Sequence, residues 1–126
     1  MKYLIVFSLF LALSLVSAQP IVDFIHLSVH PDSEWKEGDT VYQHINVDIK
    51  NESPYNILSI FLDHDDNFKV KDNQIWGIRI LDPPTNYGEL ALPENVSSIP
   101  INTTYTFNFI NTGYVAPTFN ITVVRY

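Results

Sequence analysis

The stretch VYQHINVDIK, residues Val41 to Lys50, decides the fold class. Val41, Ile45, Val47 and Ile49 alternate with Tyr42, His44, Asn46, Asp48 and Lys50. Period two over this length marks a strand with one buried face and one wet face. The same alternation recurs outward along the chain. FIHLSVH follows it, and ILSIFLD sets Leu58, Ile60 and Leu62 on one face. TYTFNFI sets Tyr105, Phe107 and Phe109 against Thr104, Thr106 and Asn108, and TFNITVV groups Phe119, Ile121 and Val123. Turn chemistry separates these runs: HPDSEWKEGD, NESPYN, DHDDN, LDPPTNYG and NTGYVAP. Short strands at this spacing predict an all-β chain folded as an antiparallel β-sandwich; a barrel satisfies the same pattern.

The chain has 126 residues and no cysteine. Its first eighteen residues, MKYLIVFSLFLALSLVSA, read as a signal peptide. Lys2 gives the positive start, Tyr3 to Val16 the apolar run, and Val16-Ser17-Ala18 the small residues before a cleavage at Gln19. That run is too short for a stable membrane span, and the tail FNITVVRY is too short and polar for a lipid-anchor signal. The expectation is one domain, residues 19–126, secreted to the extracellular space. Without cysteines it must stand on its hydrophobic core alone. Fourteen acidic residues against seven basic ones give a formal net charge of −7. That balance argues against nucleic acid and against anionic membrane surfaces as partners.

Catalytic signatures are missing. There is no nucleophile elbow, phosphate loop or metal-binding His-Glu pair, and cysteine nucleophiles are excluded. The histidines, His26, His30, His44 and His64, have no metal-ligand spacing; His26 and His30 share a strand face, where solvated imidazoles explain them without a metal. Carboxylate pairs occur, as on any acidic surface, without a cleft signature beside them. DHDDN resembles part of a calcium loop but lacks the alternating ligands and the glycine; an acidic turn explains it equally well, and a structural calcium stays open. The expectation is a non-enzyme with no cofactor and no metal in its site.

Chemistry is present in two forms. Four N-glycosylation sequons begin at Asn51, Asn95, Asn102 and Asn120. Pro54 weakens the first, Asn102 stands in a loop before a strand, and alternation turns Asn120 outward. The second form is a set of aromatics that escape the buried stripes. Tyr42 shares the polar face with His44, Asn46 and Asp48; Trp35 stands in the charged segment DSEWKEG; Tyr55 and Tyr87 stand in turns. A flat ring on a polar surface holds sugars, because it covers the C–H face of a pyranose while neighbouring polar groups bond the hydroxyls. In NQIWGIRI, alternation sends Trp76 with Ile78 and Ile80 to the core and Gly77 with Arg79 outward. Trp76 is nonetheless kept with Trp35, Tyr42, His44, Tyr55 and Tyr87 as a candidate sugar contact, and an indole open to solvent would make it the leading one.

From Asp39 to Val124 the order of features resembles carbohydrate-binding module family 49, a cellulose-binding β-sandwich. The matching elements are INVDIKNES, NILSIFL, IWGI, LP, YTFNFI and APTFNITV. The resemblance implies a polysaccharide partner, cellulose or a related β-glucan, and no catalysis. One departure stands out: plant members of the family usually carry a tryptophan just after the LP and a glycine before the aromatic strand, whereas here Leu92-Pro93 is followed by ENVSSIPINTTYTF. A structural or adhesive glycoprotein, using the same sandwich for protein contact, is the alternative reading.

Overall fold

The computed structural model describes residues 3–5 and 20–126. The expected cleavage point at Gln19 lies outside the described residues. Among the described residues there are nine strands: β1 Tyr3–Ile5, β2 Ile25–Glu37, β3 Thr40–Asn51, β4 Ser59–His64, β5 Val70–Trp76, β6 Arg79–Thr85, β7 Gly88–Ala91, β8 Thr104–Thr112 and β9 Phe119–Arg125. A 3-10 turn, Ile21–Phe24, precedes β2. The strands form two antiparallel sheets, ordered β1-β9-β4-β7-β6 and β2-β3-β8-β5, so the chain folds as the predicted β-sandwich.

The core lies between the sheets and follows from the alternation. Ile45, Val47 and Ile49 of β3 and Phe107 and Phe109 of β8 are fully buried from one side. Ile60 and Leu62 of β4, Leu90 of β7 and Val124 of β9 meet them from the other. Phe119 and Phe68 pack edge-on against Phe109, at ring separations of 6.1 and 5.0 Å. Tyr105 continues the β8 stripe and donates its hydroxyl to the Gly77 carbonyl at 2.7 Å. Truncating a buried phenylalanine such as Phe107 to alanine costs about 3–5 kcal/mol, a large share of a small domain's stability.

Three local expectations are corrected. The segment HPDSEWKEGD is not a loop: β2 runs through it to Glu37, and only Gly38-Asp39 turns the chain into β3. β2 is a sheet edge, which tolerates Pro31, and a register shift between Pro31 and Ser33 absorbs Asp32. In β9 a bulge at Thr122 breaks the period, since Phe61 pairs with Val123 but Leu62 pairs with Ile121. Val124 therefore joins the core, while Val123 aligns with Phe61 and Ala91 on the opposite face. At NQIWGIRI, Gly77 takes φ +84° as the chain leaves one sheet for the other, so the period does not carry across it. Ile78 is buried, but Trp76 and Ile80 are not.

Candidate functional site

The outer face of the β2-β3-β8-β5 sheet is built from the polar half of each alternating strand. Phe107 and Phe109 point inward, so Asn108 points outward, and register places Asn46 beside it on β3 and Trp76 beside it on β5. His30 of β2 lies opposite Asn46. One row thus crosses all four strands: His30, Asn46, Asn108, Trp76. The Trp76 side chain is half exposed, at 50%. The core placement of Trp76 is therefore overturned, and its indole becomes the most open aromatic on this face.

Gly77 is what sets that indole outward. A Cβ at Gly77 would meet the Cβ of Phe107 at 3.2 Å and its Cα at 3.3 Å, on a backbone already left-handed. Only glycine passes this close to β8, and the Tyr105 hydroxyl fixes the turn through the Gly77 carbonyl.

Beside Trp76 runs a hydrogen-bonded polar network. The Asp32 carboxylate accepts from His44 Nδ1 at 2.8 Å and from Asn46 Nδ2 at 2.8 Å. His44 Nε2 meets Asn108 Oδ1 at 3.0 Å. Both ring nitrogens thus face oxygen atoms, an arrangement that favours the doubly protonated imidazolium. The Asn108 bond raises the His44 pKa above the ordinary histidine value; desolvation opposes it, and the Asp32 hydrogen bond and charge add to it. Desolvation lifts the Asp32 carboxyl, but bonds from His44 and Asn46 and the His44 charge outweigh it and hold the group below the usual range. Asn108 Nδ2, next to the indole, has no partner among the described residues and is a ready donor to a sugar hydroxyl. Further along, Thr106 Oγ1 donates to Asp48 Oδ1 at 2.6 Å, and His30 Nε2 lies 3.3 Å from Asp48 Oδ2. His26 pairs instead with Glu52, at 3.3 Å. The two β2 histidines that share this face thus have separate carboxylate partners.

Tyr42 and Trp35 occupy the end of the face nearest the β2–β3 turn. They are paired across the strands, with ring centroids 6.1 Å apart. Trp35, which the sequence places in a charged segment, is half-buried and lies against Tyr42. Lys71 Nζ sits 4.5 Å from the Tyr42 ring centroid and 2.7 Å from Glu37. This cation occupies part of the Tyr42 surface, so Tyr42 is a poorer stacking platform than Trp76.

The other nominated aromatics lie elsewhere. Tyr55 follows the far end of β3 and packs against Tyr126, with ring centroids 4.8 Å apart and the planes tilted by 36°. Tyr87, in the β6–β7 turn, packs on Phe61 at 5.6 Å, on the outer face of the other sheet. The structure thus brings Trp35, Tyr42, His44 and Trp76 together and leaves Tyr55 and Tyr87 out. Sequence reasoning put Asn46 on the polar face of Tyr42 and His44 but nominated neither it nor Asp32 and Asn108 as contacts, because a polar network across three strands leaves no local motif. Tyr114, 72% exposed in the β8–β9 turn beside Lys69 and Asn67, was also missed. Its signal was available: an aromatic inside the Gly-Pro turn NTGYVAP.

Of the sequons, Asn95, Asn102 and Asn120 are exposed, but Asn51 is fully buried. Its Nδ2 donates to the carbonyls of Tyr55 at 2.8 Å and Ile99 at 2.9 Å, and its Oδ1 accepts from Ser53 N and Oγ. A sugar on Nδ2 would break this node, so Asn51 belongs to the fold rather than to the glycosylation sites. The Asp65 carboxylate of DHDDN accepts from Asn67 N at 3.0 Å and Thr118 Oγ1 at 3.0 Å, the bonding of an acidic turn. Among the described residues no group of three or more His, Cys, Asp or Glu side chains is placed to hold a metal ion.

A family model for the carbohydrate-binding domain CBM49 matches residues 25–112. The chain belongs to this family. The matched span runs from the start of β2 to the end of β8 and contains the whole outer face just described. No curated protein and no solved structure matches the chain. A carbohydrate-binding role follows for the CBM49 domain, and the aromatic and polar face within it is the candidate site for that role.

Proposed function

We propose that this CBM49 protein is secreted and non-catalytic, and that it binds cellulose or a related β-glucan on the outer face of the β2-β3-β8-β5 sheet. The observation that carries this reading is the half-exposed Trp76 indole standing beside Asn108 on a sheet surface. Such a surface suits an extended chain: the ring covers a pyranose face while Asn108 and Asn46 in its row, and Thr106 and Asp48 in the neighbouring pair, address hydroxyls. A stacked ring of this kind contributes about 1–3 kcal/mol. Where plant members of the family usually place a tryptophan, after Leu92-Pro93, this chain has Glu94, paired with Arg79 at 3.5 Å. The grip therefore depends on Trp76 more heavily.

The test is an equilibrium pull-down on microcrystalline cellulose and a panel of β-glucans. Binding of wild type to at least one of them is the expected result. Wild type left in the supernatant on every one would end the reading.

A further inference from the structure

The opposite face of the sandwich carries an aromatic pair that the sugar-binding face does not use. Phe61 of β4 and Tyr87 of the β6–β7 turn lie 5.6 Å apart on the outer side of the β9-β4-β7-β6 portion of the other sheet, and Tyr87 is 55% exposed. Tyr87 is not a loosely hung ring. The Thr122 hydroxyl lies between the Phe61 carbonyl, at 3.0 Å, and the Tyr87 carbonyl, and donates its one proton to one or the other. Gly88 sits so close that a Cβ there would meet Thr122 Oγ1 at 2.9 Å and the Leu62 carbonyl at 3.0 Å. The turn is held close over β4, with the tyrosine ring tilted 45° against Phe61.

Thr122 is also the third residue of the sequon Asn120-Ile121-Thr122. Asn120 is the one exposed sequon asparagine that lies within a strand; Asn95 and Asn102 lie in loops, and Asn51 is buried. Its register partner is Asp63, so its side chain emerges on the face that carries Phe61. Phe61 stands two residues along β4 from Asp63, a diagonal of roughly 7–8 Å between such positions, within reach of a first sugar residue on the amide. The bulge at Thr122 bends β9 at this point. One segment therefore supplies the acceptor, the residue that completes its recognition signal, and the clamp that fixes an apolar ring beside it.

We propose that Asn120 carries an N-glycan whose innermost N-acetylglucosamine residues lie against Tyr87 and Phe61. The C–H faces and acetyl groups of these sugars cover the aromatic pair, and the glycan closes this sheet to solvent. Tyr87 then serves the protein's own glycan and not an external ligand. The proposal rests on the reading that the chain is secreted.

The full chain, with its own leader, is expressed in a glycosylating eukaryotic cell and recovered from the medium. Peptide mass spectrometry reads the occupancy of Asn120, Asn95 and Asn102. Tyrosine nitration is then mapped on native protein before and after enzymatic removal of the glycans, with the open Tyr114 as internal reference. The expected result is an occupied Asn120 and a Tyr87 that nitrates several-fold faster once the glycan is removed, with Tyr114 unchanged. Asn120→Gln should show the fast Tyr87 rate from the start. A bare Asn120 in secreted protein, or a Tyr87 rate indifferent to glycan removal, overturns the proposal while leaving secretion standing. Chain retained in the cell with every sequon bare overturns both.

Discussion

Asn51 gives the sharpest test of how the fold is held. It is fully buried, and its amide donates to two carbonyls, those of Tyr55 and Ile99, while its oxygen accepts from Ser53. Asn51→Asp keeps the shape and replaces two N–H donors by a carboxyl group facing two acceptors. An ionised carboxylate there would be buried against two carbonyl oxygens, so the folded variant holds the acid protonated. Protonating an ordinary aspartate at pH 7 costs about 4 kcal/mol. The single acid proton then serves one carbonyl and orphans the other, for about 1 kcal/mol more. The expected loss at pH 7 is about 5 kcal/mol, comparable to the whole stability of a small domain. The sign of the pH dependence follows from the same chemistry. The folded pKa of the new acid lies above its unfolded value, so the folded state binds the extra proton and stability falls as pH rises. Relative to wild type, the deficit should shrink by about 1.4 kcal/mol per unit as pH is lowered from 7 to 5. Urea denaturation followed by tryptophan fluorescence at pH 5, 6 and 7, with Asn51→Ala as a comparator of flat pH dependence, measures it. A deficit below about 1 kcal/mol, or one independent of pH, would refute the buried-donor reasoning.

Gly77→Ala combines a left-handed backbone with a 3.2 Å contact to Phe107, and should cost about 1–3 kcal/mol in urea denaturation and weaken glucan binding by displacing Trp76. His44 should titrate above about 6.5 by ring-proton NMR, and Asn108→Ala should bring it down. Because the His44 pKa is raised, its contribution to stability is complete below the ordinary value and is lost as pH rises through the raised one. N-terminal sequencing of protein from the medium should begin at Gln19; secreted chain that begins at Met1 would contradict the leader reading.

The sandwich was legible in the sequence because its central strands are long and unbroken. In the middle of β3 and β8 the inward residues are aliphatic or aromatic, so period two survives from Ile45 to Ile49 and from Tyr105 to Phe109, while buried polar residues, Gln43, Asn51 and Asn111, stand in the same phase beyond those spans. Legibility ended wherever one residue reset the phase. Gly77 did so for Trp76, Thr122 for Val123 and Val124, and Asp32 for the far half of β2. A phase reset depends on a backbone angle or an extra bulged residue, neither of which alters composition. The site was half legible for a related reason. Tyr42 and His44 lie on one strand and declare a shared face, but the row that joins Asn46, Asn108 and Trp76 exists only once three separate strands are in register. Asn51 misled because a sequon and a buried hydrogen-bond node have the same letters.

The central claim is that Trp76 is the platform for the polysaccharide. The direct measurement is the binding isotherm on microcrystalline cellulose, or on whichever β-glucan wild type binds best, for wild type, Trp76→Ala and Tyr87→Ala, each first shown folded by its urea transition. The account predicts that Trp76→Ala weakens binding by roughly 5- to 150-fold, the equivalent of about 1–3 kcal/mol, while Tyr87→Ala on the opposite sheet binds as wild type does. A Trp76→Ala protein that binds with wild-type affinity, or a Tyr87→Ala protein that alone loses binding, would contradict it.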